Sequence, residues 1–279
     1  MNSIAGALAA ARLAIPIAEA RLLLRHVLGV GTAWLEAHRD DVLRRDAAEG
    51  FAALVERRAC GEPVAYLLGF REFYGREFSV TPDVLIPRPE TELLVEMARQ
   101  KVCPGGTADI LDLGTGSGCV AITLALELPA ARVAAADISA AALAVAHANA
   151  TLLGAAVDFV ESDWFAAFAG RRFDCIVTNP PYVAAGDPHL DQGDLRFEPP
   201  AALHCGADGL DAIRRIVGDA PRHLEPGGWL LLEHGYDQAA VLHELLAAAG
   251  FADIEQHRDL AGIVRVSGGR LTKYQDALN

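Results

Sequence analysis

No stretch of the 279-residue chain reaches the ~18 uninterrupted apolar residues that a membrane-spanning helix needs. An alanine-rich run from Ala140 comes nearest, and His147, Asn149 and Thr151 interrupt it. The N-terminus lacks the basic start of a signal peptide, and Arg12, Pro16 and Glu19 break what would have to be its apolar core. A chain without membrane attachment is expected, working in the cytoplasm. Paired cysteines are also missing: Cys60, Cys103, Cys119, Cys175 and Cys205 are scattered, odd in number and form no CxxC. That excludes a disulfide framework and a zinc knuckle, and fits reduced thiols in a cytoplasm. The nine histidines show neither HxxxH nor HxH spacing, so no metal is assigned. Positive charge is in short supply, 24 Lys and Arg against 37 Asp and Glu, for a net charge of -13. Proteins that grip duplex DNA or folded RNA unaided present many Lys and Arg to phosphates, so direct nucleic-acid binding is not expected.

Apolar residues make up 52% of the chain and charged residues 22%, enough for a sizeable core. Much of the apolar share is alanine, which favours helices, so the mean hydropathy of +0.23 is no membrane signal. The length suits one large domain with a small one, and a monomer is expected.

Residues 3–68 read as helices, with Leu22, Leu23, His26 and Val27 at helical spacing, and likewise Phe51, Leu54, Val55 and Arg58. Gly29 and Gly31 break one helix, and Gly61-Glu62-Pro63 ends another. The segment 70–80 is aromatic-rich around Gly75, which predicts a β-hairpin. Pro82, Pro87 and Pro89 stiffen its exit, and Glu90-Thr91-Glu92 opens a helix through Met97. After Pro104-Gly105-Gly106, strands and helices alternate: strands over 110–113, 132–137, 157–161, 173–178 and 229–233, helices over 120–128, 140–153, near 211–217 and over 238–249, then two closing strands. Such alternation predicts an α/β fold, a mainly parallel sheet with helices on both faces. The expected division is a helical N-terminal domain over 1–69, a hairpin connector over 70–86 and an α/β domain over 87–279.

Three places along this alternation carry chemistry. Asp112-Leu113-Gly114-Thr115-Gly116-Ser117-Gly118 lies between a strand and a helix, where the helix N-terminus exposes free N–H groups. A dinucleotide fingerprint would place its third glycine at Cys119. The spacing found is GxGxG, an open bay suited to the ribose and amino-acid parts of S-adenosylmethionine rather than to a pyrophosphate. Asp137, before Ile138 and Ser139 at the end of the next strand, can accept both ribose hydroxyls, and Ser139 can cap the following helix in its stead. In Ser162-Asp163-Trp164-Phe165, Trp164 offers a wall for an adenine and Asp163 an acceptor for its amine. Taken alone, these residues also fit a tight turn, a helix cap and a core tryptophan; in order, they favour a nucleoside.

The third place is Asn179-Pro180-Pro181-Tyr182, directly after the fourth predicted strand and beside the glycine loop. Two prolines fix φ and donate no hydrogens, leaving rigid carbonyl acceptors. Asn179 Oδ1 and the Pro180 carbonyl can each accept one hydrogen of a planar NH2, whose delocalised lone pair makes it a poor nucleophile. Tyr182 is expected to pack against the flat target group. A methyltransferase of amide or aromatic NH2 groups is therefore expected, with Asn179, Pro180 and Tyr182 catalytic. Asn179 to Tyr182 would then hold the substrate, and Asp112, Gly114, Thr115, Gly116, Ser117, Gly118, Asp137, Ile138, Asp163 and Trp164 the cofactor.

These residues resemble the release-factor glutamine methyltransferase family. The likeness spans nearly the whole chain and includes Val84-Leu85-Ile86-Pro87-Arg88-Pro89-Glu90-Thr91-Glu92, whose part from Ile86 to Glu92 is the most specific stretch, together with Phe197-Glu198-Pro199 and Asp208-Gly209-Leu210. His204, Cys205, Ile263 and Val264 depart from the family pattern. The resemblance implies a Rossmann-like class I S-adenosylmethionine methyltransferase domain with a small helical N-terminal domain that grips peptide chain release factors. It also implies methyl transfer to the side-chain nitrogen (N5) of the glutamine in their Gly-Gly-Gln loop, and that Asn179 holds the cofactor as well as the glutamine. Asn-Pro-Pro-Tyr alone is shared with adenine-N6 methyltransferases. An adenine-N6 or guanine-N2 nucleic-acid enzyme and a ribosomal-protein glutamine methyltransferase stay open as alternatives, and a binding module that kept the fold without catalysis is the reading from another class.

Overall fold

The computed structural model describes residues 3–102 and 107–272. Cys103 and the expected break at Pro104-Gly105-Gly106 lie outside the described residues. The chain packs as two compact units, Met1–Phe70 with Asp191–Phe197, and Arg71–Leu190 with Glu198–Asn279.

The first unit is helical: α1 Ile4–Ala11, α2 Ile17–Leu28, α3 Thr32–Ala37, α4 Arg45–Ala59 and α5 Val64–Leu68. Ser3 caps α1 by accepting from the Gly6 N–H at 3.1 Å, and Gly29 ends α2 in the left-handed region at φ 64°. Leu8, Leu23, Leu24, Leu35, Phe51 and Leu67 meet in its core. The buried stripe of α2 is turned by one position from the expected spacing. Leu24 is fully buried, whereas Leu22 is 41% exposed and His26 is exposed. The run Leu22-Leu23-Leu24 offers apolar residues at three consecutive positions, and packing against α4 and α5 selects among them. The short segment 191–197 was not separable in the sequence from the α/β domain. Its Asp194 accepts from Arg58 Nη1 at 2.8 Å, and Arg58 also pairs with Glu19 at 2.7 Å.

The second unit begins at Arg71, within the hairpin of β1 Phe70–Phe73 and β2 Arg76–Ser79. Tyr74 and Gly75 in its turn both have positive φ, 53° and 73°, the combination whose twist matches paired strands. Then follow α6 Glu92–Lys101, β3 Asp109–Leu113, α7 Cys119–Glu127, β4 Arg132–Asp137, α8 Ala140–Leu153, β5 Val157–Glu161 and β6 Phe173–Thr178. The chain closes with α9 Pro200–Leu203, α10 Asp211–Asp219, β7 Leu224–Glu233, α11 Ala239–Ala248, β8 Phe251–Arg258 and β9 Val264–Leu271. Strand β7 starts five residues earlier than its apolar run suggested, through Glu225, Pro226 and two glycines that carry no strand signal.

The seven-stranded sheet has the order β5-β4-β3-β6-β7-β9-β8. Strands β3 to β7 pair in parallel, and β9 returns antiparallel between β7 and β8. Apolar layers cover both faces. Leu94, Val95, Val120 and Ile122 pack with Ile110 on one, and Ile213, Ile216, Leu242 and Leu246 with Leu111 and Leu113 on the other. The sheet order and its two helical layers make a doubly wound α/β fold, as the alternation predicts, and none of the helices among the described residues is long and apolar enough to cross a membrane. Because β3 pairs β4 on one side and β6 on the other, chain order reverses there and a crevice opens at the strands' carboxyl ends.

Candidate active site

The loop after β3 is tied down from below. Asp112 is completely buried and accepts from Thr115 Oγ1 at 2.7 Å; burial pushes its carboxyl up to about 7. The Gly114 and Thr115 N–H groups both donate to the Ala136 carbonyl, at 2.8 and 2.9 Å. Gly114 adopts φ 73°, and a Cβ there would stand 3.5 Å from Trp164 Cζ3. Gly118 has φ 81°, and its Cβ would meet Ile122 Cδ1 at 2.8 Å and Ala146 Cβ at 3.1 Å. Both glycines are held in the left-handed region, and at Gly118 alone close approach adds to it; at Gly114 a Cβ would make only ordinary contact.

Asp137 works on the loop as well as on the crevice. Its Oδ2 accepts from the Gly116 N–H and its Oδ1 from the Ser139 N–H, both at 2.9 Å. Ser139 caps α8 through the Ala142 N–H at 3.2 Å, leaving Asp137 free of that duty. Each Asp137 oxygen keeps a lone pair for a diol.

Trp164 occupies a left-handed backbone conformation at φ 52°, uncommon for a bulky residue. Ser162 supports the turn: its hydroxyl donates to the Trp164 carbonyl at 2.8 Å and accepts from the Ala167 N–H at 3.0 Å. Backbone in a sparsely populated region is characteristic of ligand sites. Asp163 takes two Arg215 hydrogens at 2.8 and 2.9 Å, and each oxygen retains a lone pair for an adenine amine.

The Asn179-Pro180-Pro181-Tyr182 corner leaves β6 at the same edge. Asn179 Nδ2 donates to Thr91 Oγ1 at 3.1 Å, which leaves Oδ1 as the free acceptor. Among the described residues neither Asn179 Oδ1 nor the Pro180 carbonyl has a hydrogen-bond donor. Tyr182 is held firmly instead. Its hydroxyl donates to Glu233 Oε1 at 3.2 Å, its carbonyl accepts from Gln238 Nε2 at 2.9 Å, and its ring rests on the apolar layer of α10 and α11. Burial and the Glu233 charge push the Tyr182 phenol well above its ordinary value.

A cavity of about 230 Å³ joins these places. Gly114, Gly116, Asp137 and Ile138 line one side of it, and Asp163, Trp164, Asn179 and Pro181 another. Asp112, Thr115 and Ser117 reach an adjoining pocket of about 40 Å³, shared with Gly114, Gly116 and Asn179. Gly118, Pro180 and Tyr182 line neither; Gly118 packs against α8 and Pro180 is buried.

Several contributors escaped sequence reading. Val84, Leu85, Pro199 and Ala202 supply an apolar wall of the larger cavity. Glu198, buried, accepts from the Ile86 N–H at 2.9 Å and pairs with Arg88, joining the two motifs 86–92 and 197–199. Asn149, also buried, donates to the Ser117 and Ser79 carbonyls at 2.9 and 3.0 Å, tying the glycine loop to the hairpin. The family resemblance marked Val84, Leu85, Ile86, Arg88, Glu198 and Pro199 as motif residues without giving them a role, whereas Ala202 and Asn149 carried no signal.

The donor set would fit S-adenosylmethionine: the carboxylates of Asp137 and Asp163, the indole of Trp164 and the undonated Asn179 Oδ1 belong to residues lining one cavity. Comparison with known proteins agrees. A family model described as "Methyltransferase small domain" matches residues 89–193, and one described as "PrmC N-terminal domain" matches residues 1–69. The release factor glutamine methyltransferase of Bordetella pertussis is 52% identical over 258 residues, 92% of this chain and 96% of that protein. Its counterpart in Burkholderia pseudomallei is 54% identical, covering 91% of each. Among solved structures, the 16S rRNA N2 G1207 methyltransferase of T. thermophilus, in complex with AdoMet and guanosine, shares the fold at TM-score 0.54 and 22% identity, covering 72% of this chain and 49% of that one.

Proposed function

The chain belongs to the release factor glutamine methyltransferase family, and on that footing we propose that it transfers a methyl group from S-adenosylmethionine to the side-chain amide nitrogen of the glutamine in the Gly-Gly-Gln motif of peptide chain release factors. The observation that carries the reading is the undonated Asn179 Oδ1 of a residue that lines one cavity with Asp137 and Trp164; the Pro180 carbonyl, next in the chain, is likewise undonated among the described residues.

S-adenosylmethionine, when bound, supplies a methyl group on a positively charged sulfur. Asp137 would hold its ribose, Asp163 and Trp164 its adenine, and the loop from Asp112 to Gly118 with Ile138 and Asn179 the remainder. The glutamine amide would give one hydrogen to Asn179 Oδ1 and the other to the Pro180 carbonyl, while Pro181 and Tyr182 brace the corner. This fixes the nitrogen in place, and orientation of this kind is worth up to about 7–11 kcal/mol. As the nitrogen gained its fourth bond, the methyl–sulfur bond would break with its electron pair left on a neutral thioether sulfur; the nitrogen would become positive, and the two acceptors would bind it more strongly than they bound the neutral amide. The charged nitrogen then loses a proton to water without a strong base. Residues 1–69 recognise the release factor, 70–86 connect, and 87–279 carry the reaction. The protein acts as a monomer in the cytoplasm, without direct contact to nucleic acid or membrane.

Labelled S-adenosylmethionine offered with purified release factors, ribosomal proteins, DNA and ribosomal RNA tests the substrate. Label on the glutamine of the Gly-Gly-Gln loop alone is expected. Label on nucleic acid or on a ribosomal-protein glutamine, with the release factor untouched, would overturn the reading.

A further inference from the structure

The corner Asn179-Pro180-Pro181-Tyr182 is gripped at both ends, and Asn179 and Pro181 of it line the larger cavity. At its start Asn179 Nδ2 donates to Thr91 Oγ1 at 3.1 Å. At its end the Tyr182 carbonyl accepts from Gln238 Nε2 at 2.9 Å. Gln238 stands just before α11 and is buried, so little water reaches its amide. That amide cannot turn over: the Gly235 N–H donates to its Oε1 at 2.8 Å, which leaves Nε2 to face Tyr182. Gly209, the centre of Asp208-Gly209-Leu210, meets the same carbonyl. Its φ is 74°, and a Cβ there would run into the Tyr182 oxygen and stand 2.9 Å from the carbonyl carbon. The chain beyond is fastened too, with the Val183 N–H on the Leu203 carbonyl at 3.0 Å and the Ala185 N–H on that of Gly206 at 2.8 Å. We propose that Gln238 is a positioning residue for methyl transfer: by pinning the Tyr182 carbonyl against Gly209 it sets the direction of the Pro180 carbonyl offered to the substrate nitrogen. The inference rests on the methyl-transfer reading above.

The logic is one of torsions. Peptide planes are rigid and each proline fixes its own φ, so between Asn179 and Tyr182 the freedom left lies in ψ at Pro180 and at Pro181. Pro181 narrows ψ of Pro180 further, because a residue before proline is crowded out of the helical region. A segment with so little slack passes the position of its end back to its middle. With Tyr182 fixed, the Pro180 carbonyl has one direction; with Tyr182 released, that direction spreads. The Tyr182 hydroxyl on Glu233 does not replace the grip, since rotatable side-chain bonds lie between it and the backbone. An acceptor that wanders still meets a neutral amide, but it is no longer preorganised for the charge that develops in the transition state. Loss of Gln238 should therefore reach the rate before it reaches binding. Asp208-Gly209-Leu210 gains a part in the same device: Asp208 accepts the Leu210 N–H at 3.1 Å and pairs with Arg214, which holds the turn that brings Gly209 to the carbonyl.

The test uses the full-length protein in wild-type form and as Gln238→Met, Gly209→Ala and the double variant. Gln238→Met keeps the length of the side chain and removes the donor. Gly209→Ala displaces the carbonyl and leaves Gln238 its contact with Gly235. Single-turnover methylation of a release factor at saturating concentrations should fall about tenfold in each single variant. The cofactor dissociation constant and the half-saturating release-factor concentration should stay within about twofold, a split that general loosening of the fold would not give. The double variant should lose less than the product of the two losses, because both displace one carbonyl. A second readout needs no substrate. Isotope labels on proline carbonyls and tyrosine nitrogens single out the Pro181–Tyr182 peptide, since no other proline precedes a tyrosine in the chain. Its resonance in cofactor-bound protein should shift in Gln238→Met. Should either variant fail to fold, Gln238→Glu takes its place; it keeps an oxygen for Gly235 and turns a second oxygen on Tyr182. Full turnover without Gln238, losses that multiply, or an unmoved Pro181–Tyr182 resonance would overturn the inference. A wild type that leaves release factors unmethylated would sink the substrate assignment instead, and that resonance would still decide whether Gln238 sets the corner.

Discussion

Thr91 accepts the side-chain amide of Asn179 across 3.1 Å, although 88 residues separate them in the chain. The contact unites the specific stretch 86–92 with the transfer corner. Thr91 is 3% exposed, so its hydroxyl meets little competing water. Pro89 opens the short turn that carries Thr91 into α6 and sets the direction from which the hydroxyl arrives.

Asp137 has two tasks, and losing it should show in the cofactor first. Asp137→Ala removes the acceptor of the Gly116 N–H together with the one facing the cavity. Hydrogen bonds to charged groups are worth about 1.5–3 kcal/mol, so the cofactor dissociation constant should rise by roughly tenfold to a hundredfold. Isothermal titration calorimetry reads it directly, and an unchanged constant would remove Asp137 from the ribose site.

Gly118→Ala asks whether the tight helix start matters. The new methyl would meet Ile122 Cδ1 at 2.8 Å with φ at 81°. Overpacking and left-handed strain together should cost about 1–3 kcal/mol and lower Tm by several degrees. A Tm equal to that of the wild type would show that α7 and α8 can separate freely.

Asp112 makes stability depend on pH with a defined sign. Its carboxyl is raised from 3.8 to about 7, so the folded state prefers the protonated form. The stabilisation is present in full below the unfolded value and is lost as pH rises through the folded value, a change on the order of a few kcal/mol. Asp112→Asn lacks this titration. Relative to the wild type it should gain stability between about pH 4 and about pH 7 in urea unfolding. A stability difference flat across that range would contradict the assignment.

Much of this was readable in the sequence because local signals agreed. Short apolar runs bounded by glycine and aspartate mark the strands β3, β4 and β6, and the loop after β3 carries its own geometry in three glycines. Asp137, Trp164 and Asn179 follow from their places at strand ends, and all three line the cavity. What escaped depends on long-range contact. Asn149 looks like any polar residue on an alanine-rich helix until Ser79 and Ser117 come to it. Glu233 reads as the charged end of a strand; only burial beside Tyr182 gives it a part. The buried stripe of α2 was misjudged by one position because three leucines in a row carry no phase.

The central claim is that two rigid oxygens hold a reluctant nitrogen, and Asn179→Ala tests it most directly. Single-turnover transfer to the release factor should be measured at saturating S-adenosylmethionine, alongside cofactor affinity. Removing one preorganised partner of a developing charge typically costs about 100-fold or more, so the rate should fall by that order while the cofactor dissociation constant moves about twofold at most. A rate left intact, or a loss fully matched by weaker cofactor binding, would contradict the account.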